Sequence, residues 1–290
     1  MKTETLPAEA RAAAEELCGE DPKLKLISDR RGSAVWQVTG PRRSAALKVG
    51  AGPEGTVITA RETAVLTAID CGGALLAHGR LDGEAWMLTP WYEGPSTWEA
   101  LRSVRDGEGN RRQALQTAVE WCEAVARLHA IDWVHCDLQP HHAIHTPDGV
   151  HLIDCSWAWH PHKLPPSHIF RGGPPHLLAP EMALTIHGGQ RPVAPTRTAE
   201  VYTLAAGLWW AITGAWPLDY NAIGINPARL TPAVLRQIIG TRPIPLRSHR
   251  VWLEVQEILS GVLTAPAPSR PTAAELAALL GDATRESRNR

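Results

Sequence analysis

From Arg111 to Ala130 the apolar positions Leu115, Ala118, Val119, Cys122, Val125 and Ala126 recur at helical spacing, and this stretch constrains the fold more than any other. A helix of that length with one apolar stripe must bury the stripe against further elements. The chain differs in kind on its two sides. Upstream, Pro7–Leu17 is rich in Ala and Glu and reads as a short helix ending near Gly19, Ala34–Val38 and Ala45–Val49 read as short strands around the turn Thr39-Gly40-Pro41, Arg61–Ile69 reads as a helix, and Trp86–Thr89 as a strand running into Pro90. Downstream, Trp133–Leu138, His142–His145 and Val150–Ile153 are strand-like, with Pro147-Asp148-Gly149 as a turn. An irregular stretch follows from Ser156 to Pro180, then helices over Ala199–Gly214, Thr231–Ile239 and Trp252–Leu263, and a last helix after Pro271 ending near Gly281. The expectation is an α+β chain, with strands and one main helix first and helices dominant afterwards.

Composition narrows the function classes. Of the 290 residues 44% are hydrophobic, enough to fill a core, so wholesale disorder is excluded. Lys plus Arg number 29 against 30 Asp plus Glu, a balance that leaves no electrostatic footprint for nucleic acid or an anionic membrane. Twelve Trp stand against one Phe, which reads as genome composition bias. Cys18, Cys71, Cys122, Cys136 and Cys155 are scattered with no CxxC pair, so neither a disulfide framework nor a cysteine zinc site is expected, and a reducing cytoplasm fits. Met1–Glu20 lacks a signal-type apolar core, and the longest apolar run, Val201–Thr213, is too short to span a bilayer and reads as a buried core helix.

Four short motifs carry the chemistry: Ala46-Leu47-Lys48-Val49, Val134-His135-Cys136-Asp137-Leu138-Gln139-Pro140, Leu152-Ile153-Asp154-Cys155-Ser156 and Ala179-Pro180-Glu181. Taken alone, a Lys in a strand is ordinarily a solvated edge, and an Asp closing an apolar run a turn former. In this order and at these distances the four resemble the phosphate-anchoring lysine strand, the catalytic loop, the metal-binding motif and the A-P-E motif of the bacterial eukaryotic-like (Hanks-type) Ser/Thr protein kinases. The resemblance covers roughly residues 24–280 and implies a bilobal protein-kinase-like fold with a small β-rich N-lobe bearing one main helix and a larger, mainly α C-lobe. The domains it implies are an N-terminal helical extension (1–20), an N-lobe with hinge (21–92), a C-lobe (93–281) and a disordered tail (282–290).

The resemblance also implies roles. Lys48 would anchor the ATP phosphates, held extended by Glu62, and Asp154 would chelate Mg2+ or Mn2+. Asp137 would orient the acceptor hydroxyl, with Gln139 beside it in place of the family's lysine. Ser33 and Val35 would line the nucleotide site, and Thr89, Pro90 and Tyr92 would be gatekeeper and hinge. Arg270 would pair with Glu181, and Glu200, where the family usually has Asp, would anchor the catalytic loop with a slight shift from its extra methylene.

The chain departs from the family pattern at several points. The glycine-rich loop keeps only Gly32, with Ser28, Arg30 and Ser33 where the three glycines fall. His142 replaces the Asn that binds a second magnesium, which points toward manganese. Pro174 replaces the Thr that touches the catalytic-loop lysine, and Cys136 replaces the arginine that reads a phosphorylated activation loop. Cys155-Ser156 replaces Phe-Gly, and between Asp154 and Glu181 the only hydroxyls are Ser156 and Ser167, so switching by phosphorylation there is not expected. Nine of the 13 histidines fall from His135 to His176, which raises a zinc site at His160, His162 and His168 as an alternative to a polar, solvent-facing loop.

The expected function is ATP-dependent phosphoryl transfer to Ser/Thr hydroxyls of a protein or peptide. One version is a precursor peptide in natural-product maturation, phosphorylated so that a partner lyase can eliminate the phosphate. The alternatives are a pseudokinase scaffold working through a protein partner and a small-molecule kinase of the aminoglycoside or choline type, against which Ala179-Pro180-Glu181 and Arg270 speak. No nucleic-acid or membrane partner is expected.

Overall fold

Alternate burial of Ala34, Trp36 and Val38 and of Ala45, Leu47 and Val49 makes the hairpin from Ser33 to Ala51, around which the first part of the computed structural model is built. The structure describes residues 6–30, 32–69, 73–81, 83–249 and 251–286. They are a mixed α+β chain with a small antiparallel sheet and many helices. The chain divides into two compact units, Met1–Tyr92 with Asp154–Ala158, and Glu93–Ile153 with Trp159–Arg290.

The first unit contains α1 (Ala8–Cys18), β1 (Lys23–Arg30), β2 (Ser33–Thr39), β3 (Ser44–Ala51), α2 (Gly52–Ile69), β4 (Ala77–Leu81) and β5 (Glu84–Pro90). Its five antiparallel strands run in the order β1-β2-β3-β5-β4. Ala34, Trp36 and Val38 of β2 and Ala45, Leu47 and Val49 of β3 point to one face, where they pack with Ala10, Ala14 and Cys18 of α1. Those three helical positions are four residues apart and small, so the helix lies close to the sheet. Leu47 and Leu88 are fully buried and each contributes about 1.5–3 kcal/mol by leaving water. The opposite face carries Val35, Lys48 and Met87 directly abreast, because Val35 pairs with Lys48 and Lys48 with Met87. Lys48 reaches α2 from this face.

Helix α2 starts nine residues before the expected Arg61, at Gly52. Its first turns, Gly-Pro-Glu-Gly-Thr-Val-Ile-Thr, are poor in helix formers, and packing against β3 and β5 overrides that propensity. Here Gly32, at φ +75°, turns the chain between β1 and β2, and its carbonyl accepts the Ala51 amide at 2.8 Å. Gly55 lies so close that a Cβ there would sit 2.0 Å from the Gly32 oxygen.

The second unit contains α3 (Thr97–Ala100), α4 (Arg102–Arg105), α5 (Arg111–Ala130), β6 (Ala143–Thr146), β7 (Gly149–Leu152), α6 (Pro180–His187), α7 (Arg197–Thr213), α8 (Pro232–Thr241), α9 (Leu253–Thr264) and α10 (Ala273–Glu286). Helix α5 has the expected bounds, and the Asn110 side chain caps it by accepting the Arg112 and Gln113 amides. Helix α7 holds the apolar run and is buried along most of its length. Among the described residues no helix is long and apolar enough to cross a membrane. Thr196 caps the start of α7, and Gly214 at φ +72° ends it. Helix α5 packs on α10 and α7, α7 on α9, and α6 on α8.

Two expectations differ from the structure here. Trp133–Leu138 is a loop joined to Trp159 by an isolated bridge at Val134, because Cys136 takes φ +72°, which no strand accommodates. Helix α10 runs past Gly281 to Glu286, so the tail read as frayed from Asp282 is helical that far, and 287–290 lie outside the described residues. Cys18, Cys122, Cys136 and Cys155 form no disulfide, and Cys71 lies outside the described residues.

Candidate functional site

The sequence candidates gather in two clusters, one in each unit. In the first, β3 delivers Lys48 and α2 delivers Glu62, whose side chain is buried. Lys48 Nζ donates to Glu62 Oε2 at 2.5 Å and to Asp154 Oδ1 at 3.0 Å. Asp154 holds a left-handed backbone, φ +58°, and its side chain stays 42% exposed, so one face of this cluster meets solvent. Burial works against the Lys48 charge, but the Glu62 and Asp154 carboxylates outweigh it and hold its pKa above the ordinary lysine value. A cation that stays charged in a partly buried position is suited to anionic oxygens.

Ser156 joins this cluster, although nothing in its sequence position marked it as more than a glycine replacement. Its Oγ lies 2.9 Å from Glu62 Oε2 and 3.0 Å from Asp154 Oδ1, and it accepts from Lys48 at 3.3 Å. A hydroxyl has one proton, so it bonds one carboxylate at a time and couples the two. Glu62 Oε1 accepts the Cys155 amide at 3.0 Å, so both oxygens of the buried carboxylate are satisfied. Ser156→Ala removes a buried bond to a charged group and is expected to lower stability by about 1.5–3 kcal/mol in chemical denaturation. A change below about 0.5 kcal/mol would mean that the hydroxyl holds nothing.

Of the remaining first-unit candidates, Ser33, Val35 and Thr89 share the Lys48 face of the sheet, whereas Pro90 pairs with Ala45 on the opposite face. Ser33 pairs with Gly50 and Val35 with Lys48, while Thr89 and Pro90 of β5 pair with Ala46 and Ala45. The Ser33 hydroxyl is buried with no hydrogen-bond partner among the described residues, an orphan that a ligand oxygen would satisfy. Pro90 lacks an amide proton, and the next amide, Trp91, donates to the Ser44 carbonyl at 3.4 Å. Tyr92 is half-buried and ends this segment of the unit.

The second cluster is the loop around Asp137. Glu200, on the buried α7, accepts the Cys136 amide at 2.6 Å through one oxygen, and the His135 amide at 3.1 Å and His129 Nε2 at 2.8 Å through the other. These bonds hold Cys136 in its left-handed conformation. The Glu200 carboxylate therefore reaches the loop despite its extra methylene. His135 is fully buried, accepts the Asp137 amide at Nδ1 and donates from Nε2 to the Ile153 carbonyl. Gln139 Nε2 donates to Asp137 Oδ1 at 3.0 Å, so the amide that replaces the expected lysine still orients the carboxylate. His142 Nδ1 donates to the Asp137 carbonyl at 2.9 Å, which leaves Nε2 as the lone-pair nitrogen of the neutral ring. The backbone of Gly173 lies against Asp137, where a Cβ would come within 2.4 Å of Oδ1.

Two further expectations concern this unit. Arg270 meets Glu181 through both guanidinium nitrogens, at 2.5 and 2.9 Å, and also lies over the Tyr202 ring. The zinc alternative is not supported by the geometry of His160. Its Nδ1 already accepts the amides of His162 and Lys163, and its bridge to Leu164 shapes the loop instead. No family model matches this chain, and a search of curated proteins returns no match.

Proposed function

We propose that the chain is an ATP-dependent phosphotransferase of bilobal protein-kinase-like fold that acts on Ser or Thr hydroxyls of a protein or peptide. In this reading the sheet-bearing unit is the small lobe and the helical unit the large one. The observation that carries it is Lys48, a partly buried ammonium held between the Glu62 and Asp154 carboxylates on the sheet face that presents the orphan Ser33 hydroxyl. That donor set suits a polyphosphate, with Lys48 and Ser33 toward its oxygens and Val35, Thr89, Pro90 and Tyr92 toward the base.

In the transfer step the acceptor hydroxyl oxygen bonds to the γ-phosphorus, the bond to the β–γ bridging oxygen breaks, ADP leaves, and the hydroxyl proton passes to Asp137. Gln139 orients that carboxylate. Bound Mg2+ or Mn2+ supplies neutralising charge to the phosphates; Asp154 would hold one ion and His142 another. An imidazole ligand suits manganese better than magnesium. One substrate version is a precursor peptide from whose phosphorylated Ser or Thr a partner lyase then eliminates phosphate. A reducing, cytoplasmic setting accompanies the reading.

The test is a thermal-shift titration with ATP and either ion, followed by turnover. Wild type is expected to gain melting temperature with ATP–metal, Lys48→Ala to lose most of that gain, and turnover to be faster with manganese. Absence of an ATP-dependent shift with both ions would overturn the proposal. A retained shift without turnover would favour the scaffold reading.

A further inference from the structure

Five aromatic rings from distant parts of the sequence form a continuous, partly exposed strip in the second unit. Trp98 on α3 stacks with His141 at 5.3 Å and contacts Trp210 on α7 at 4.7 Å. Trp210 meets Trp216 at 4.4 Å, and Trp216 stacks on His176 at 4.5 Å and 18° between planes. His141 is exposed and the other four are half-buried, so their faces and edges remain partly open to solvent. Aromatic side chains that serve only as core filling are buried, as Trp121 and Trp133 are at 0% exposure.

The strip brackets Asp137. His141 follows Asp137 closely on the short turn Pro140–His142, and the neighbouring His142 ring is bonded to the Asp137 carbonyl. At the other end His176 follows Gly173, whose backbone lies against Asp137 Oδ1. Three extended residues span at most about 10 Å, so a peptide with its hydroxyl at Asp137 reaches the strip within a few residues.

Charge decides what the strip accepts. Burial lowers the His176 pKa to about 4, so that ring is neutral near pH 7. His176 Nδ1 is also bonded to the Tyr220 hydroxyl at 2.9 Å. Arg105 lies 3.8 Å over the Trp98 ring and donates to the Trp98 and Ala211 carbonyls. The nearby Glu99 carboxylate closes the capping box with Ser96. A basic side chain would meet Arg105, and the Glu99 carboxylate is already engaged by Ser96, whereas a neutral aromatic one can stack.

We propose that this strip is the docking surface for the acceptor peptide, which carries a Trp, Phe or Tyr within a few residues of the phosphorylated Ser or Thr. The proposal rests on the phosphotransferase reading for the acceptor's identity, but its test does not need turnover. Short fluorescein-labelled peptides, identical but for Trp, Ala or Arg three residues from a single Ser on either side, are titrated with the full chain and followed by anisotropy. The Trp peptide is expected to bind about tenfold or more tighter than the Ala peptide. Trp216→Ala should erase that preference and Trp216→Phe should keep it, which separates docking from a folding defect.

Equal binding of all three peptides, or tightest binding of the Arg peptide, would overturn the proposal. So would self-association in sedimentation that Trp216→Ala abolishes, which would make a second copy the occupant. Phosphate incorporation from ATP is measured in parallel. Selective binding with no incorporation would leave the docking surface standing and count against phosphotransfer. Incorporation without aromatic preference would do the reverse.

Discussion

Asp137→Asn is expected to lower phosphoryl transfer by about 10²–10⁴-fold while ATP affinity stays near that of wild type. The substitution keeps the shape of the side chain, and its amide oxygen can still accept from Gln139 Nε2, 3.0 Å away in the parent. The neighbouring bonds, from the Asp137 amide to His135 and from His142 to the Asp137 carbonyl, involve the main chain and persist. On the proposed function, what is lost is the capacity to take the acceptor's proton, a role in the transition state and not in nucleotide binding. Single-turnover kinetics beside ATP titration separates the two. Near-full turnover in Asp137→Asn would remove Asp137 from the chemistry and with it the assignment of the loop.

The largest effect on stability is expected at Glu200. Its carboxylate is buried on α7 and satisfies three donors, His129 Nε2 and the amides of His135 and Cys136. Glu200→Ala strands all three in the interior and is expected to cost about 3–5 kcal/mol, the range for breaking a buried charged pair. In melting experiments that is a fall on the order of 10 °C. The pH dependence follows from the sign of its pKa shift. Burial alone would raise the Glu200 pKa, but the hydrogen bond from His129 and the Cys136 amide outweigh it and the net shift is downward. A carboxyl lowered on folding contributes stability that is present above its unfolded value, about 4.3, and lost as pH falls through the folded value. Wild type should therefore lose stability on acidification more steeply than Glu200→Gln, which has no such proton to take up. Parallel acid melts of the two proteins would contradict this.

Parts of this were legible in the residues and parts were not, for physical reasons. Helix α5 was readable to its ends because its apolar period is regular and Asn110 supplies a cap. Lys48, Glu62 and Asp154 were readable through the order of their motifs, and they do meet in one cluster. Strand β1 was not, because Lys23–Arg30 is an edge strand with little burial on either face, so no alternation marks it. The loop Trp133–Leu138 looked like a strand because its composition is apolar, and only the conformation at Cys136, maintained from α7, makes it a loop. The aromatic strip was hidden for a different reason. Its members lie far apart in sequence, and the abundance of Trp read as compositional bias until Trp98, Trp210 and Trp216 came together.

The joint between Gly32 and Gly55 has a kinetic consequence. With the Gly32 carbonyl bonded to the Ala51 amide and Gly55 lying against it, the β1–β2 turn cannot swing as an independent flap. Lifting it breaks that bond and pulls at the place where β3 becomes α2. Amide exchange at Ala51 therefore reports both motions as a single opening. On the proposed function, a nucleotide arriving at this end of the sheet would meet a rim already tied to β3 and lose little chain entropy in ordering it.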